Sequence, residues 1–239
     1  MDIYKINTPE ELIKGNSYVG RGIVLGLTPD GEKAVSAYFI MGRSANSRNR
    51  VFVLEDGVLY TRPFDESKVK DPSLIIYAAL RCAGNKLIVT NGDQTDTAVE
   101  GLRRGLSFHD ALRSRRFELD APNLTPRISG MLAFEDEGLR YELSILKSAD
   151  GEGSACNRYL FCYEALPGLG QFLHTYVCDG SPIPCFQGEP ERMAIPDDID
   201  AFSASLWESL DADNKISLYV RYTDVKSGSF EDRLINKYR

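Results

Sequence analysis

The feature that most constrains the fold of this chain is a series of short apolar segments separated by compact turns. Thr28-Pro29-Asp30-Gly31 ends one apolar segment, and Asp56-Gly57 lies between two others. Glu135-Asp136-Glu137-Gly138 separates a further pair. Proline, aspartate and glycine favour tight turns, and two β-prone segments joined by such a turn form a hairpin. The pattern therefore predicts antiparallel sheets.

Segments typical of helices interrupt the hairpins. Asp93 to Asp96 contains helix-capping residue types, Ser107 is the expected N-cap of a second helix, and residues 199–210 carry apolar side chains at helical spacing. Residues 74–80 fit a buried strand or a helix, because periodicity does not separate the two over so short a segment. We favour a strand, since the β-prone residues 86–90 follow closely. The mixture predicts an α+β fold with antiparallel sheets covered by helices.

Composition excludes several classes of function. The net charge of −7 argues against a nucleic-acid binder, which usually presents a broad basic face, although local arginines can still bind a small anion. No window approaches the roughly 18 apolar residues of a membrane-spanning helix, and the N-terminus lacks a signal-peptide pattern. We therefore expect a cytoplasmic protein that does not act on membranes.

Cysteine and histidine usage argues against metal chemistry. None of the five cysteines are separated by only two residues, and the two histidines, His109 and His174, lie far apart. The usual zinc-ligand spacing is thus absent, and an odd number of cysteines in a cytoplasmic setting indicates reduced thiols. We expect neither a metal nor another cofactor.

An arginine-rich segment, Gly42–Arg50, follows the apolar residues 37–41. It contains three guanidinium groups and two hydroxyls within nine residues of an otherwise acidic chain. Guanidinium groups fit phosphate or carboxylate oxygens in pairs, which is typical of an anion-binding loop, but a solvated basic turn has the same composition. If residues 48–53 form a strand, Arg48 and Arg50 point to the same side.

Three further segments concentrate polar side chains. An apolar strand runs into a glycine-containing turn and a helix at residues 89–97, which fits either a ligand-binding turn or a simple capped helix. Two prolines stiffen residues 120–130, either around a site or in an ordinary connection. The proline-rich residues 176–188 fit a lid or a structural corner. Together these segments indicate a polar site that binds a phosphorylated molecule.

The chain resembles the archaeal-type inosine monophosphate (IMP) cyclohydrolase family. The resemblance covers roughly residues 18 to 130, in family order. Its motifs are Tyr18–Arg21, Gly42–Arg50, Asp71–Tyr77, Thr90–Asp93 and Asn123–Gly130.

The resemblance implies a four-layer αββα sandwich like that of N-terminal-nucleophile hydrolases. Self-processing is not expected, because Asp2 rather than a nucleophilic residue follows Met1. We expect a single domain over residues 1–239, with a less closely matched C-terminal extension from about residue 150. Exposed sheet edges in such folds are compatible with a homo-oligomer.

The implied reaction closes the ring of 5-formamidoimidazole-4-carboxamide ribonucleotide to give inosine monophosphate and water, the last step of purine biosynthesis. The implied partner is therefore a purine mononucleotide. Two alternatives stay open. One is an inactive nucleotide-binding protein of the same fold. The other is an amide hydrolase with Cys82 or Cys178 as its nucleophile.

The resemblance also implies roles for nine residues. Arg50, Tyr77 and Asp120 are the candidate catalytic groups, with Tyr77 as donor to the oxyanion and Asp120 as acid or base. The remaining six are candidates for substrate binding: Arg21, Arg48, Asn91, Asp93, Asn123 and Arg127. Within that set, Arg48 and Arg50 would hold the phosphate, or one of the two would polarise the formyl oxygen.

Overall fold

The computed structural model describes residues 2–69, 76–136 and 138–238. Strands dominate this part of the chain and helices are few. In chain order the strands are β1 (Arg21–Leu27), β2 (Lys33–Met41), β3 (Val51–Glu55), β4 (Val58–Arg62), β5 (Tyr77–Ala83), β6 (Lys86–Thr90), β7 (Arg127–Glu135), β8 (Gly138–Ser148), β9 (Cys156–Glu164), β10 (Leu169–His174), β11 (Glu191–Ala194), β12 (Lys215–Asp224) and β13 (Phe230–Asn236). The α-helices are α1 (Pro9–Ile13), α2 (Ala45–Arg48), α3 (Gln94–Arg103), α4 (Phe108–Ala111) and α5 (Ile199–Ser209).

The strands form two antiparallel sheets that pack face to face. The first has six strands in the order β11-β10-β1-β2-β12-β13, and the second has seven in the order β3-β4-β5-β6-β7-β8-β9. In the first sheet, β10 and β12 pair with the two sides of the β1–β2 hairpin. The segment beyond residue 150 therefore supplies strands next to the N-terminal hairpin.

Three hydrophobic clusters define four layers. The largest fills the space between the sheets and contains Ile23 of β1 and Leu143 of β8. A second packs α5 against the outer face of the first sheet, and a third packs α3 and α4 against the outer face of the second. The predicted α+β fold with antiparallel sheets is confirmed, and the layers follow the order αββα. The likeness to N-terminal-nucleophile hydrolases stays a prediction.

Most predicted elements are confirmed. The turns at residues 28–31 and 56–57 join paired strands, the strands on either side of the third predicted turn pair up to Glu135 and Gly138, and Ser107 caps α4 with its hydroxyl. The described part of residues 74–80 lies mostly in β5, while Leu74, Ile75 and the rest of the motif before Ile76 lie outside the described residues.

One expectation was wrong. Residues 48–53 do not form a strand: Arg48 ends α2, whose N-terminus Ser44 and Ser47 cap with a reciprocal capping box, and β3 begins only at Val51. The expected alternation of Arg48 and Arg50 therefore does not apply. Strand β10 lies just before residues 176–188, whose role as a lid or a structural corner stays a prediction. The residues of β10 pair with β1 along one side and β11 along the other.

Glycines allow β10 to lie close to β1. Gly26 and Gly170 are directly opposed across the two strands. A Cβ atom on Gly26 would approach the Gly170 backbone to 2.6 Å, and one on Gly170 would approach the Ile195 side chain to 2.8 Å. Backbone cannot move aside as a flexible side chain can, so a larger residue would separate the strands.

We predict that Gly26→Ala destabilises the protein by about 1–3 kcal/mol, because the added methyl group overpacks the β1–β10 contact. Urea unfolding followed by circular dichroism measures the change. Gly151→Ala is the matched control, since nothing lies within 4 Å of the position of its Cβ. Equal stability of the two variants would contradict the close pairing of these strands.

Candidate functional site

Inward-facing polar side chains lie at one end of the space between the sheets. Arg21 opens β1 and continues the inward alternation of Ile23, and Tyr38 and Tyr77 belong to the same inter-sheet cluster of β2 and β5. The two tyrosine hydroxyls lie 3.0 Å apart. The same alternation that builds the core therefore brings a guanidinium and two phenols together, one phenol from each sheet.

Arg50 joins this group from the loop before β3. Arg21 and Arg50 are only 8% and 5% exposed, and both lie within electrostatic reach of Tyr77. Neither guanidinium has a hydrogen-bond partner among the described residues, and the Nε atoms of both are fully buried. Burial, reinforced by the charge of Arg21, lowers the pKa of Arg50. Two unpaired cations held close together favour an anion between them.

Glu118 provides a carboxyl group beside the two arginines. It lies in the connection between α4 and β7, and it interacts electrostatically with Arg21, Arg127 and Arg50. Burial raises the pKa of Glu118 more than these cations lower it. A carboxyl group whose pKa is raised in this way exchanges protons nearer to neutral pH, as a general acid or base must.

A short hydrogen-bonded chain borders the cluster. The Tyr176 hydroxyl lies 2.6 Å from Thr125 Oγ1, which also lies 2.5 Å from Asp120 Oδ2. Asp120 Oδ1 accepts a hydrogen bond from the Thr125 backbone N–H at 2.6 Å. Tyr176 is within electrostatic reach of Arg21. Both oxygens of Asp120 are thus engaged in fixing its own loop.

Further cations surround a recess at the mouth of the cluster. Arg127 Nη1 donates to Asp93 Oδ1 at 2.7 Å and to Gln94 Oε1 at 2.5 Å, and Arg115 donates to the same Asp93 oxygen. Burial alone would raise the pKa of Asp93, but the hydrogen bond from Arg115 and the charges of both arginines lower it overall.

The recess itself is a cavity of about 360 Å³ lined by Arg115, Arg116, Glu118 and Arg127, among other residues. Arg116 donates to the Gly153 carbonyl at 2.6 Å, and its Nε has no partner among the described residues. Because Glu118 belongs both to this recess and to the buried arginine cluster, the two form one continuous polar region.

Three predicted site residues use their polar atoms to hold the fold. Arg48 donates to the Gly42 carbonyl at 3.0 Å and to Asn214 Oδ1 at 2.9 Å. The Asn91 amide bonds the Pro126 carbonyl at 2.9 Å and the backbone N–H of Ile128 at 2.9 Å. Asn123 Oδ1 accepts from the backbone N–H of Ile183 at 3.3 Å.

Of the nine sequence-predicted site residues, the structure thus brings together Arg21, Arg50 and Tyr77. Asp120 lies at the margin of their cluster, and Asp93 and Arg127 lie at the mouth. Arg48, Asn91 and Asn123 serve as structural anchors.

The described residues contain neither a metal-ligand cluster nor a cysteine–histidine pair. His174 Nδ1 donates to the Tyr176 carbonyl at 2.7 Å, and His109 is exposed on α4. Cys82 and Cys178 are both exposed, and neither is hydrogen-bonded to a histidine. The arrangement therefore does not resemble an activated thiol, which needs an adjacent base or cation.

Sequence reasoning missed Glu118, Tyr38 and Arg115. Glu118 lies two residues before the stiff loop that begins at Asp120, so its charge and chain position were visible, but its closeness to Arg21 and Arg50 was not. Tyr38 is part of an apolar segment, and the only available signal was that a buried tyrosine hydroxyl needs a partner. Arg115 lies in a basic segment that also fits a solvated surface.

Comparisons with known proteins identify the family of the chain. Residues 18–228 match the family of IMP cyclohydrolase-like proteins. An IMP cyclohydrolase of Methanopyrus kandleri is 32% identical over 155 residues, which are 59% of this chain and 75% of that protein. One of Methanococcus maripaludis strain C7 is 33% identical over 157 residues, 62% of this chain and 75% of that protein. One of Haloquadratum walsbyi is 30% identical over 118 residues, which are 48% of this chain and 56% of that protein.

We predict that the stability of the protein relative to Glu118→Gln falls as the pH rises from about 4.5, the ordinary value for glutamate. Because the folded state raises the pKa of Glu118, it binds the proton more tightly than the unfolded chain does. At pH values between the pKa of Glu118 in the unfolded chain and its pKa in the folded protein, each pH unit should therefore lower the free energy of unfolding of the wild type by about 1.4 kcal/mol relative to the variant.

Thermal unfolding of both proteins between pH 4 and pH 8 measures this difference. A difference that does not change with pH, or one that changes in favour of the wild type, would contradict the raised pKa of Glu118.

Proposed function

Because the chain belongs to the family of IMP cyclohydrolase-like proteins, we propose that it closes 5-formamidoimidazole-4-carboxamide ribonucleotide to inosine monophosphate with loss of water. The observation that carries the proposal is the pair of buried guanidiniums, Arg21 and Arg50, which lack partners among the described residues and lie beside Tyr77 and Glu118.

The chemistry of ring closure matches these groups. The carboxamide nitrogen attacks the formyl carbon, so the formyl oxygen gains negative charge while the nitrogen loses a proton. The guanidinium of Arg50 and the hydroxyl of Tyr77 would stabilise that oxygen, and one preorganised donor is typically worth about 2.7–4 kcal/mol. The buried position lowers competition from water for these hydrogen bonds.

Glu118 is the group to which we assign the proton transfer. As a carboxylate it would take the proton that the carboxamide nitrogen loses and pass it to the formyl oxygen, which becomes a hydroxyl. It would then take the proton of the former formamido nitrogen and deliver it to that hydroxyl, which leaves as water while the C=N bond of the new ring forms. Its raised pKa suits both states. Asp120, which was the candidate from sequence, has both oxygens bound by Thr125, and we assign it a positioning role instead.

We place the 5′-phosphate of the substrate in the recess of Arg115, Arg116 and Arg127 rather than at the buried arginines. A phosphate dianion is strongly hydrated, and the recess lets it keep contact with water while guanidiniums bind its oxygens. Glu118 then lies between the phosphate and the reacting end. The buried cluster, which holds the donors and the acid or base, is left for the formyl and carboxamide groups.

The described residues contain no helix long and apolar enough to cross a membrane. The five cysteines are free, which fits a reducing compartment, and we propose a cytoplasmic location. We also propose that residues 1–239 act as one domain, because β10 and β12 flank the hairpin that contributes Arg21 and Tyr38. A purine mononucleotide is the partner that this function requires.

We predict that purified protein closes the ring of the formamido nucleotide, followed as a rise in the ultraviolet absorbance of the purine. Tyr77→Phe should lower kcat by one or more orders of magnitude, and Arg50→Met should lower it by at least about 10²-fold, because each removes a donor to the oxyanion. Absence of ring closure by the wild type, with binding of inosine monophosphate retained, would indicate an inactive nucleotide-binding protein.

We predict that Arg115→Ala raises KM for the nucleotide about 10–100-fold while leaving kcat nearly unchanged, because it removes a charge-assisted hydrogen bond to the phosphate. With the corresponding nucleoside, which lacks the phosphate, the variant and the wild type should perform alike. Arg113→Ala is the matched control. Arg113 is exposed in the same loop, and the carbonyls of both residues accept hydrogen bonds from Arg158.

An equal loss by Arg115→Ala with nucleotide and nucleoside would show that Arg115 does not contact the phosphate. That outcome would leave the ring-closing activity itself intact, so the orientation of the substrate and the reaction are tested separately.

A further inference from the structure

Strand β9 is the longest of the four edge strands of the two sheets, and it lacks the features that normally prevent an edge from pairing. It is nine residues long, it contains no proline, glycine or lysine, and its register with β8 has no bulge. Native proteins usually protect an edge with such residues or with a covering segment, because unpaired backbone groups bind another strand. The edge of β9 is therefore a candidate interaction surface.

The other edges are in contact with further segments of the chain. Asn7 of the N-terminal segment pairs with Met193 of β11. The Asn236 amide of β13 bonds both the backbone N–H and the carbonyl of Phe52 on β3, at 2.8 and 2.9 Å, and so joins these two edges at one corner. Along β9, the one outward backbone group that is bonded among the described residues is the Cys156 carbonyl, which accepts from Arg158 Nη1 at 3.1 Å.

The hydrogen bonds to β8 show which residues of β9 face outward. The Ala165 N–H donates to the Leu139 carbonyl at 3.2 Å, and the Ala149 N–H donates to the Ala155 carbonyl at 3.0 Å. In an antiparallel pair such bonds recur at every second residue, so the odd-numbered residues of β9 bond β8. The even-numbered residues direct their N–H and C=O groups away from the sheet. These are Arg158, Leu160, Cys162 and Glu164.

This pattern is complementary to itself. If a second copy of β9 lies antiparallel about a two-fold axis at Phe161, Arg158 faces the partner's Glu164 and Leu160 faces the partner's Cys162. Every outward residue then exchanges both backbone hydrogen bonds with an outward residue of the partner. A register displaced by two residues would instead place Glu164 opposite Leu160 or Cys156.

Charge favours the register centred on Phe161. Arg158 and Glu164 are both exposed, and they lie on the same face of the strand because six residues separate them. The Arg158 guanidinium bonds only the carbonyls of Cys156, Arg113 and Arg115 among the described residues, so no carboxylate there neutralises it. Opposite charges directly across two strands stabilise their pairing, and the two-fold axis provides this contact twice.

Apolar side chains beside this edge would be covered as well. Tyr159 and Leu160 belong to β9, while Ile3 and Tyr4 line a recess together with Tyr163, and the first four of these side chains are exposed. In the register centred on Phe161, the partner's Tyr159 lies opposite Tyr163 and so reaches the same recess. Exposed apolar groups gathered around an unpaired edge are typical of a protein interface.

We propose that β9 is a dimer interface, at which a second copy of this chain adds its own β9 antiparallel and joins the two seven-stranded sheets into one. Arg158 of each copy pairs with Glu164 of the other. The interface requires no nucleotide, so it is tested separately from the ring-closing activity.

Analytical ultracentrifugation at micromolar protein concentration should show a dimer of the wild type. Arg158→Glu and Glu164→Arg each place like charges opposite one another at both ends of the paired strands. Each variant should therefore raise the Kd of the dimer at least about tenfold. Glu208→Arg, an equal charge reversal at an exposed position on α5, is the matched control and should leave the Kd unchanged. Circular dichroism verifies that each variant is folded.

The register is tested by combining the two substitutions. The double variant Arg158→Glu/Glu164→Arg restores opposite charges across the axis and should dimerise like the wild type. An equimolar mixture of the two single variants should form heterodimers, because both cross-strand pairs then carry opposite charges. A merely structural role of either residue would not produce this rescue.

A disulfide provides a second test of the register. Leu160→Cys places a thiol opposite the partner's native Cys162, at the Cα separation of about 5.5 Å that a disulfide spans. Oxidation should therefore yield a covalent dimer on non-reducing electrophoresis. Leu160→Cys/Cys162→Ser is the control, since its thiols lie diagonally across the axis, and it should stay uncrosslinked.

Three results would overturn the proposal. The first is a wild type that stays monomeric at micromolar concentration. The second is a dimer whose Kd is unaffected by the single charge reversals or is not restored by their combination. The third is a dimer in which Leu160→Cys crosslinks no more than its control.

Discussion

The burial of two like charges, the guanidiniums of Arg21 and Arg50, is the constraint on which the rest of the site depends. Burial removes both guanidiniums from water, and neither forms a hydrogen bond with a carboxylate among the described residues. Burial disfavours both charges, but Glu118 and the neighbouring tyrosines more than offset this at Arg21, whose pKa is raised, whereas the pKa of Arg50 stays lowered. The repulsion between the two guanidiniums is reduced by electrostatic interactions with Glu118, Tyr38 and Tyr77. The ring-closing reaction would need groups at these same positions.

The two sheets supply the rigidity that this arrangement requires. Arg21 and Tyr38 stand on neighbouring central strands of one sheet, while Tyr77 stands on the other, and the cluster between the sheets holds these strands together. The segment after β10 adds tethers from the C-terminal half. Arg43 binds Asp179 and the Gly180 carbonyl, the latter at 2.9 Å, and Lys147 donates to the Phe186 carbonyl at 2.8 Å. Groups on rigid strands hold a reactive geometry better than groups on free loops do.

Much of the fold could be predicted from local sequence because its hairpins are specified locally. Asp56 and Gly57 both adopt positive φ, which is the conformation that their residue types favour in a two-residue turn. Strand β10 could not be predicted in this way, because its register depends on Gly26 and Gly170 meeting across strands far apart in the chain. The site follows the same rule. Arg50 and Tyr77 were visible as residue types, but the placement of Glu118 beside the arginines and the hydrogen bond from Arg48 to Asn214 depend on tertiary contacts that no local pattern encodes.

A crystal structure of the protein with inosine monophosphate bound tests the central claim most directly. The account predicts that the base edge formed by ring closure lies within hydrogen-bond distance of Arg50 and Tyr77, with Glu118 beside it and the phosphate among Arg115, Arg116 and Arg127. A nucleotide bound elsewhere, with the guanidiniums of Arg21 and Arg50 still unpaired, would contradict the account.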